Sequence, residues 1–145
     1  MQMNIKLLRD GAAAPEYQTA EAAALDLCAC LDAPVTIAPG ERAKIGTGVA
    51  VELPHDCAGF VMARSGLSSR HGVALANGVG LIDPDYRGEV CATLQNNGRE
   101  PFTVNHGDRV AQLCVVPFVR VSCVVCSALS ETERGENGHG STGVR

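Results

Sequence analysis

An all-β domain, folded as a barrel or a sandwich, is what this sequence predicts, and three observations predict it. Short strand-like stretches alternate with Gly, Pro and Asn turn signals at close spacing along most of the chain. No segment sustains the apolar period of an amphipathic helix. With no Trp, 2 Tyr and 3 Phe, the core must come from Val, Ala, Leu and Ile, and branched side chains suit a pleated, half-buried surface. A chain of 145 residues is right for one domain, and no repeat or linker divides it.

In chain order, Met3 to Arg9 reads as a first strand and Ala12 to Ala23 as a polar, alanine-rich connection containing Pro15. Leu25 to Cys30 follows as a strand in which Asp26 faces away from Leu25 and Leu27. After a Pro39-Gly40 turn, Ala43, Ile45, Thr47, Val49, Val51 and Leu53 alternate with Arg42, Lys44, Gly46, Gly48, Ala50 and Glu52, the pattern of a half-buried strand. Pro54 and Asp56 turn the chain into a strand from Cys57 to Ala63. The pattern breaks at Arg64-Ser65-Gly66-Leu67-Ser68-Ser69, which is either a polar surface turn or a short helical turn whose first N–H groups face an anion. Asn77-Gly78, between VAL and VGLI, predicts a tight hairpin, since both positions tolerate positive φ. Strands at Val90 to Gln95, Pro101 to Val104 and Val110 to Val119 are separated by turns at Asn97-Gly98 and His106-Gly107-Asp108, and Cys123 to Leu129 closes the ordered part.

The formal charge of −4 and the scattered Lys and Arg exclude the electrostatic footprint of a nucleic-acid binder. A small anion would need a local cluster of Arg. Met1 to Asp10 lacks the features of a secretory leader, and no apolar run reaches membrane-spanning length. The expectation is a cytoplasmic protein without membrane partners. The 7 Cys, at 28, 30, 57, 91, 114, 123 and 126, fall mostly in apolar patterns where a free thiol packs as a small hydrophobe. Cys123-Val-Val-Cys126 has the spacing of a metal or redox pair, but no second pair stands at zinc spacing.

The chemistry centres on Asn77 to Glu89, NGVGLIDPDYRGE. Asp83 follows the predicted hairpin immediately, and Tyr86 is close enough to wall a pocket. A carboxylate on rigid backbone is what a general base needs. Asp83-Pro84-Asp85 is equally a sequence that starts a turn. The tail from Glu131 is rich in Gly, Ser and Thr with almost nothing apolar to dock, so it is either a frayed terminus or a segment that orders around an anion.

Five segments considered jointly carry a resemblance. AALDLCA with Asp26, ARSGLS with Arg64-Ser65-Gly66, Asn77 to Glu89, GDRVAQL with Gln112, and RGENGHGSTG in the tail resemble, in order and spacing, the five motifs of the trimeric dUTPases. The resemblance runs from about Leu25 to the end of the chain. It implies a jelly-roll-type β-barrel over 1–130, a flexible glycine-rich lid over 131–145, a homotrimer with shared active sites, and hydrolysis of dUTP to dUMP and diphosphate with Mg²⁺.

Residue by residue, the resemblance implies that Asp83 activates the attacking water. Asn77 and the backbone through Leu81 and Ile82 would read uracil, Tyr86 would pack on the deoxyribose, and Cys91 would lie near the base. Arg64, Ser65, Gly66 and Gln112 would hold phosphates. Asp26 would act through water on a Mg²⁺ ligated mainly by the triphosphate, in keeping with that ion's preference for phosphate oxygens. Arg134, Ser141 and Thr142 would close the tail over the γ-phosphate, with His139 at the stacking position over the base. The chain departs from the family pattern at Ala24, where Gly is common, at Asn137 in place of a tail glycine, and at His139 in place of phenylalanine. A dCTP deaminase-like enzyme and a dUTP-sensing regulatory trimer are the alternatives; the first is disfavoured by the RG-rich tail and the second by the intact acid at Asp83.

Overall fold

The computed structural model describes residues 1–138. Its strands are β1 (Asn4–Leu7), β2 (Leu25–Cys28), β3 (Val35–Ile37), β4 (Arg42–Glu52) and β5 (Cys57–Met62), then, after helix α1 (Ser65–His71), β6 (Val73–Leu75), β7 (Val79–Ile82), β8 (Glu89–Asn96), β9 (Phe102–Val104) and β10 (Arg109–Pro117). One sheet has the order β1-β4-β8-β6, a second β2-β10-β5-β7, and β3 with β9 forms a ribbon. All pairings are antiparallel. The predicted β architecture is therefore present, and of the two readings left open after Ala63 the helical one is realised as α1.

Alternation builds the core. Along β8, Val90, Ala92, Leu94 and Asn96 point inward while Glu89, Cys91, Thr93 and Gln95 are only half-buried. Of these, Val90, Ala92 and Leu94 meet Ile45, Val49 and Val51 of β4, Leu27 of β2, Val61 of β5, Ala111 and Leu113 of β10, and Ile37 and Val104 of the ribbon in one apolar cluster. Burying aliphatic side chains of this size is worth about 1.5–3 kcal/mol each, so the core holds all three sheets together.

The structure corrects three expectations, the third at the end of β10. Asn77-Gly78 does not close a hairpin ladder. β6 pairs with β8 and β7 with β5, so the turn carries the chain from one sheet to the other. Gly78 does adopt a positive φ of 71°, but its N–H donates to Leu75 O and Val79 N to Asn77 O, and a glycine turn does not decide which strands pair beyond it. The second correction concerns β4, whose alternation holds only in its first half; Thr47 to Val51 are buried on both faces. The register with β8 breaks between Gly46 and Ala50. There Gly48 adopts φ 68°, its N–H donates to Glu89 Oε1 at 2.7 Å, and Thr47 Oγ1 donates to Val90 O at 2.6 Å. Ala12 and Cys30 crowd the space a side chain at Gly48 would need, which closes the outer face of the bulge.

β10 ends at Pro117, short of Val119. From there to Gly138 the chain has no regular structure, and Val119, Val121, Val124, Val125 and Leu129 are exposed. Cys123 and Cys126 are exposed free thiols on this segment, not packed strand residues. Among the described residues no helix is long and apolar enough to cross a membrane.

Asn96 is the polar hub of the interior. Fully buried, its Nδ2 donates to Ile37 O at 2.9 Å and Glu100 O at 2.8 Å, and its Oδ1 accepts from Gly98 N at 2.9 Å. Its backbone also bonds Gly40 and Glu41, so one residue joins the β3–β4 and β8–β9 turns. Asn96→Ala leaves buried partners unsatisfied and is predicted to lower stability by about 2–3 kcal/mol in urea unfolding. Asn97→Ala, at the exposed next position, should stay within about 0.5 kcal/mol of wild type. Equal losses at the two positions would contradict the amide's role.

Candidate active site

The register of three strands gathers the first group of polar residues. Gln112 of β10 lies opposite Asp26 of β2 on one side and Met62 of β5 on the other, so Arg64, just past β5, reaches the same place. Asp26 is 9% exposed, and its strand also bonds the incoming connection through Asp26 N to Glu16 O at 2.9 Å. Ionising a carboxylate at such a depth requires partners. Arg64 Nε donates to Oδ1 at 3.2 Å and Arg109 Nη1 to Oδ2 at 3.1 Å. Arg64 Nη1 donates to Arg109 O at 3.1 Å, and Gln112 Nε2 to Ala63 O at 3.0 Å, which fixes the strand end carrying Arg64.

Two guanidiniums against one carboxylate leave a net positive charge beside the start of α1. Leu67 N and Ser68 N donate to Arg64 O, so the N–H groups of Ser65 and Gly66 precede the first helical bond and point outward. The sequence brought Asp26, Arg64, Ser65, Gly66 and Gln112 forward, and the fold assembles them. Arg109 was overlooked, although it stands inside GDRVAQL; its signal is its register position opposite Cys28, diagonal to Asp26. Burial, and then the Asp26 charge, push the Cys28 thiol above its ordinary range, so it stays protonated rather than acting as a nucleophile.

The second group lies on β7 and the turn after it. β7 is an edge strand of its sheet, so one side of its backbone, through Leu81 and Ile82, keeps unpaired peptide groups. The Asn77 amide lies over Gly80, 3.6 Å from where a Cβ would stand. Asp83 is exposed at the end of β7 and also opens a turn, Tyr86 N donating to Asp83 O at 3.1 Å. Tyr86 OH donates to Glu89 O at 3.1 Å, which lays the ring against Gly88 and leaves its other side open. Arg87 staples the turn from outside through Pro84 O, Tyr86 O and Glu52. The Asn4 amide, and then Arg87, hold the Glu52 carboxyl below the usual carboxylate range.

Within one chain the two groups are far apart. Gly59 pairs with Ile82 and Met62 with Val79, so Asp83 is level with Ala58. Arg64 lies six residues further along, about 20 Å at the usual strand rise. Cys91 is on the opposite sheet, its thiol pushed up by burial and then by Glu89. Arg134 is exposed and donates through Nε to Asn137 O at 2.9 Å. His139, Ser141 and Thr142 lie outside the described residues. Among the described residues no three His, Cys, Asp or Glu side chains gather as a metal site.

Two antiparallel sheets bearing a guanidinium-rich cluster and, apart from it, a carboxylate on a stapled turn define a jelly-roll-like, anion-handling β domain. The dUTPase family model matches residues 10–143. A deoxyuridine 5'-triphosphate nucleotidohydrolase of Desulfitobacterium hafniense is 53% identical over 131 residues, 90% of this chain and 87% of that protein. Its counterpart in Xylella fastidiosa is 51% identical over 133 residues, 90% and 85% of the two chains. Staphylococcus bacteriophage 80alpha dUTPase with dUpNHpp matches with a TM-score of 0.91 at 27% identity, covering 99% of both chains. A mutant dUTPase from S. aureus phage phi11, whose structure reveals coordination of a structural Mg(II) ion, matches with a TM-score of 0.81 at 25% identity over 88% and 98%. The chain belongs to the dUTPase family.

The Tyr86 geometry is open to direct test. A Cβ on Gly88 would fall 3.0 Å from Tyr86 Cε2 and nearer still to the hydroxyl, so Gly88→Ala should push the ring off the turn and break its bond to Glu89. With 2 Tyr and no Trp in the chain, near-UV circular dichroism should register that displacement while the melting temperature barely moves. An unchanged tyrosine signal would mean that the turn adapts and does not hold the ring.

Proposed function

We propose that the chain hydrolyses dUTP to dUMP and diphosphate as a homotrimer, a closed jelly-roll barrel in each subunit, whose active sites are each completed by more than one copy. The observation that carries this is the separation of the two polar groups. A water activated by Asp83 cannot attack a phosphorus held by Arg64 of the same chain when β5 keeps them about 20 Å apart. A neighbouring copy can bring its own β7 edge to the Asp26–Arg64 cluster, and closed symmetry then repeats the arrangement at every interface.

In this assignment Arg64, Gln112 and the leading N–H groups of Ser65 and Gly66 hold the phosphates. A Cβ on Gly66 would meet nothing within 4 Å among the described residues, so the room beside it is open to a ligand. Fixed donors and guanidiniums aimed at developing phosphate charge stabilise a transition state without reorganising. The free edge of β7 reads uracil with Asn77, Leu81 and Ile82, Tyr86 offers its open face to the deoxyribose, and Cys91 lies behind the base. Asp83 accepts the proton of the attacking water. Arg134, His139, Ser141 and Thr142 belong to a tail that closes over the nucleotide.

Mg²⁺ fits this donor set in one way. Asp26 is a hard oxygen donor that belongs to no cluster of three ligating side chains among the described residues, so the ion would draw its ligands mainly from the triphosphate and reach Asp26 through water. When bound it would neutralise phosphate charge. Every cysteine of the chain is a free thiol, which suits a reducing cytoplasm.

Asp83→Asn is nearly isosteric on an exposed turn, so fold and dUpNHpp affinity should persist while kcat falls by about two to four orders of magnitude. Turnover close to wild type would remove Asp83 from the mechanism.

A further inference from the structure

The phosphate end of the site holds a conflict over Arg64. Its Nε is committed to Asp26 Oδ1 and its Nη1 to Arg109 O, yet on the reading above the same guanidinium serves the phosphates. Charge-assisted bonds to a triphosphate compete directly with those to a carboxylate. If Arg64 turns to the ligand, Asp26 is left 9% exposed with one cationic partner, and a buried carboxylate that loses partners is costly and free to reorient.

The remaining partner is Arg109, whose side chain is 45% exposed and long enough to follow Arg64 toward the ligand. One bond restrains it. Arg109 Nη1 donates both to Asp26 Oδ2 at 3.1 Å and to Gln18 Oε1 at 3.0 Å, and the two hydrogens on that nitrogen serve the two acceptors at once. Gln18 lies on the connection between β1 and β2, which is pinned to the site by the bond from Asp26 N to Glu16 O. We infer that Gln18 is a positioning residue: it keeps Arg109 on Asp26 while Arg64 engages phosphate, so that Asp26 stays aimed at the hydrated metal. Gln18 touches neither nucleotide nor metal in this scheme. Nothing in the sequence marked it, since it stands in a polar connection outside the five motifs, just ahead of the first.

The assignment rests on the dUTP reading, and one experiment separates the two. Binding of dUpNHpp is measured by calorimetry across a Mg²⁺ series and in EDTA, for wild type, Gln18→Ala and Gln18→Glu. Gln18 is exposed, so melting temperatures should agree. In EDTA the wild type and Gln18→Ala should bind alike. The Mg²⁺ concentration giving half of the metal's enhancement should rise about three- to tenfold in Gln18→Ala, the scale of one net hydrogen bond. Gln18→Glu keeps an acceptor for Arg109 and should restore the wild-type curve. If wild type responds to Mg²⁺ and Gln18→Ala follows the same curve, or loses affinity equally in EDTA, the Gln18 assignment is overturned and the substrate reading stands. A wild-type protein that binds no dUpNHpp at any Mg²⁺ concentration overturns both.

Discussion

The register between β5 and β7 governs what this chain is able to do alone. An antiparallel ladder fixes each residue's partner, and sliding by one position would turn every core side chain outward. Val61 of β5 is locked in the apolar cluster, and Leu113 packs so closely on Gly59 that a Cβ there would come within 2.9 Å of its methyl. β5 therefore has no freedom to bring its ends together. The carboxylate that follows β7 and the guanidinium that follows β5 are held apart by the core that stabilises both.

That division suits the electrostatics. The Asp26 cluster is half-covered, rich in guanidinium and dependent on mutual pairing, which favours a polyanion over a neutral ligand. Asp83, on an exposed turn, is placed away from the two guanidiniums that engage Asp26, so it keeps its acceptor oxygens uncommitted among the described residues. Folding a single chain thus keeps a guanidinium-rich cluster and an exposed carboxylate apart, without letting one neutralise the other.

What was legible in the sequence was whatever local chemistry dictates. Gly and Pro marked the turns, alternation marked most strands, and the broken pattern after Ala63 left a polar turn and a helical turn equally open, of which the fold takes the second. Asp26 between Leu25 and Leu27 announced a carboxylate on the face opposite an apolar one. Pairing beyond a turn was not legible: Asn77-Gly78 has hairpin chemistry, but β8 and β5 offered β6 and β7 better partners. The β4 bulge was hidden because its cause, the carboxylate of Glu89 on Gly48 N, lies 41 residues away. Arg109 and Gln18 escaped for the same reason, since their roles come from what the fold sets beside them. The apolar run after Pro117 looked like core, yet among the described residues Val119, Val124 and Val125 stay exposed.

The central claim proposed is that a complete site needs more than one copy, and mixing two defective variants measures it most directly. Asp83→Asn spoils the reacting half and Arg64→Gln the binding half, so each should be nearly inactive alone although folded. Unfolded together in equal amounts and refolded, random trimers should regenerate an intact pairing at about one quarter of their sites, because a ring of three mixed chains always contains one. Recovery of dUTP hydrolysis near that fraction is the predicted result. A mixture of well-folded chains that stays as inactive as either variant alone would show that one chain holds the whole site.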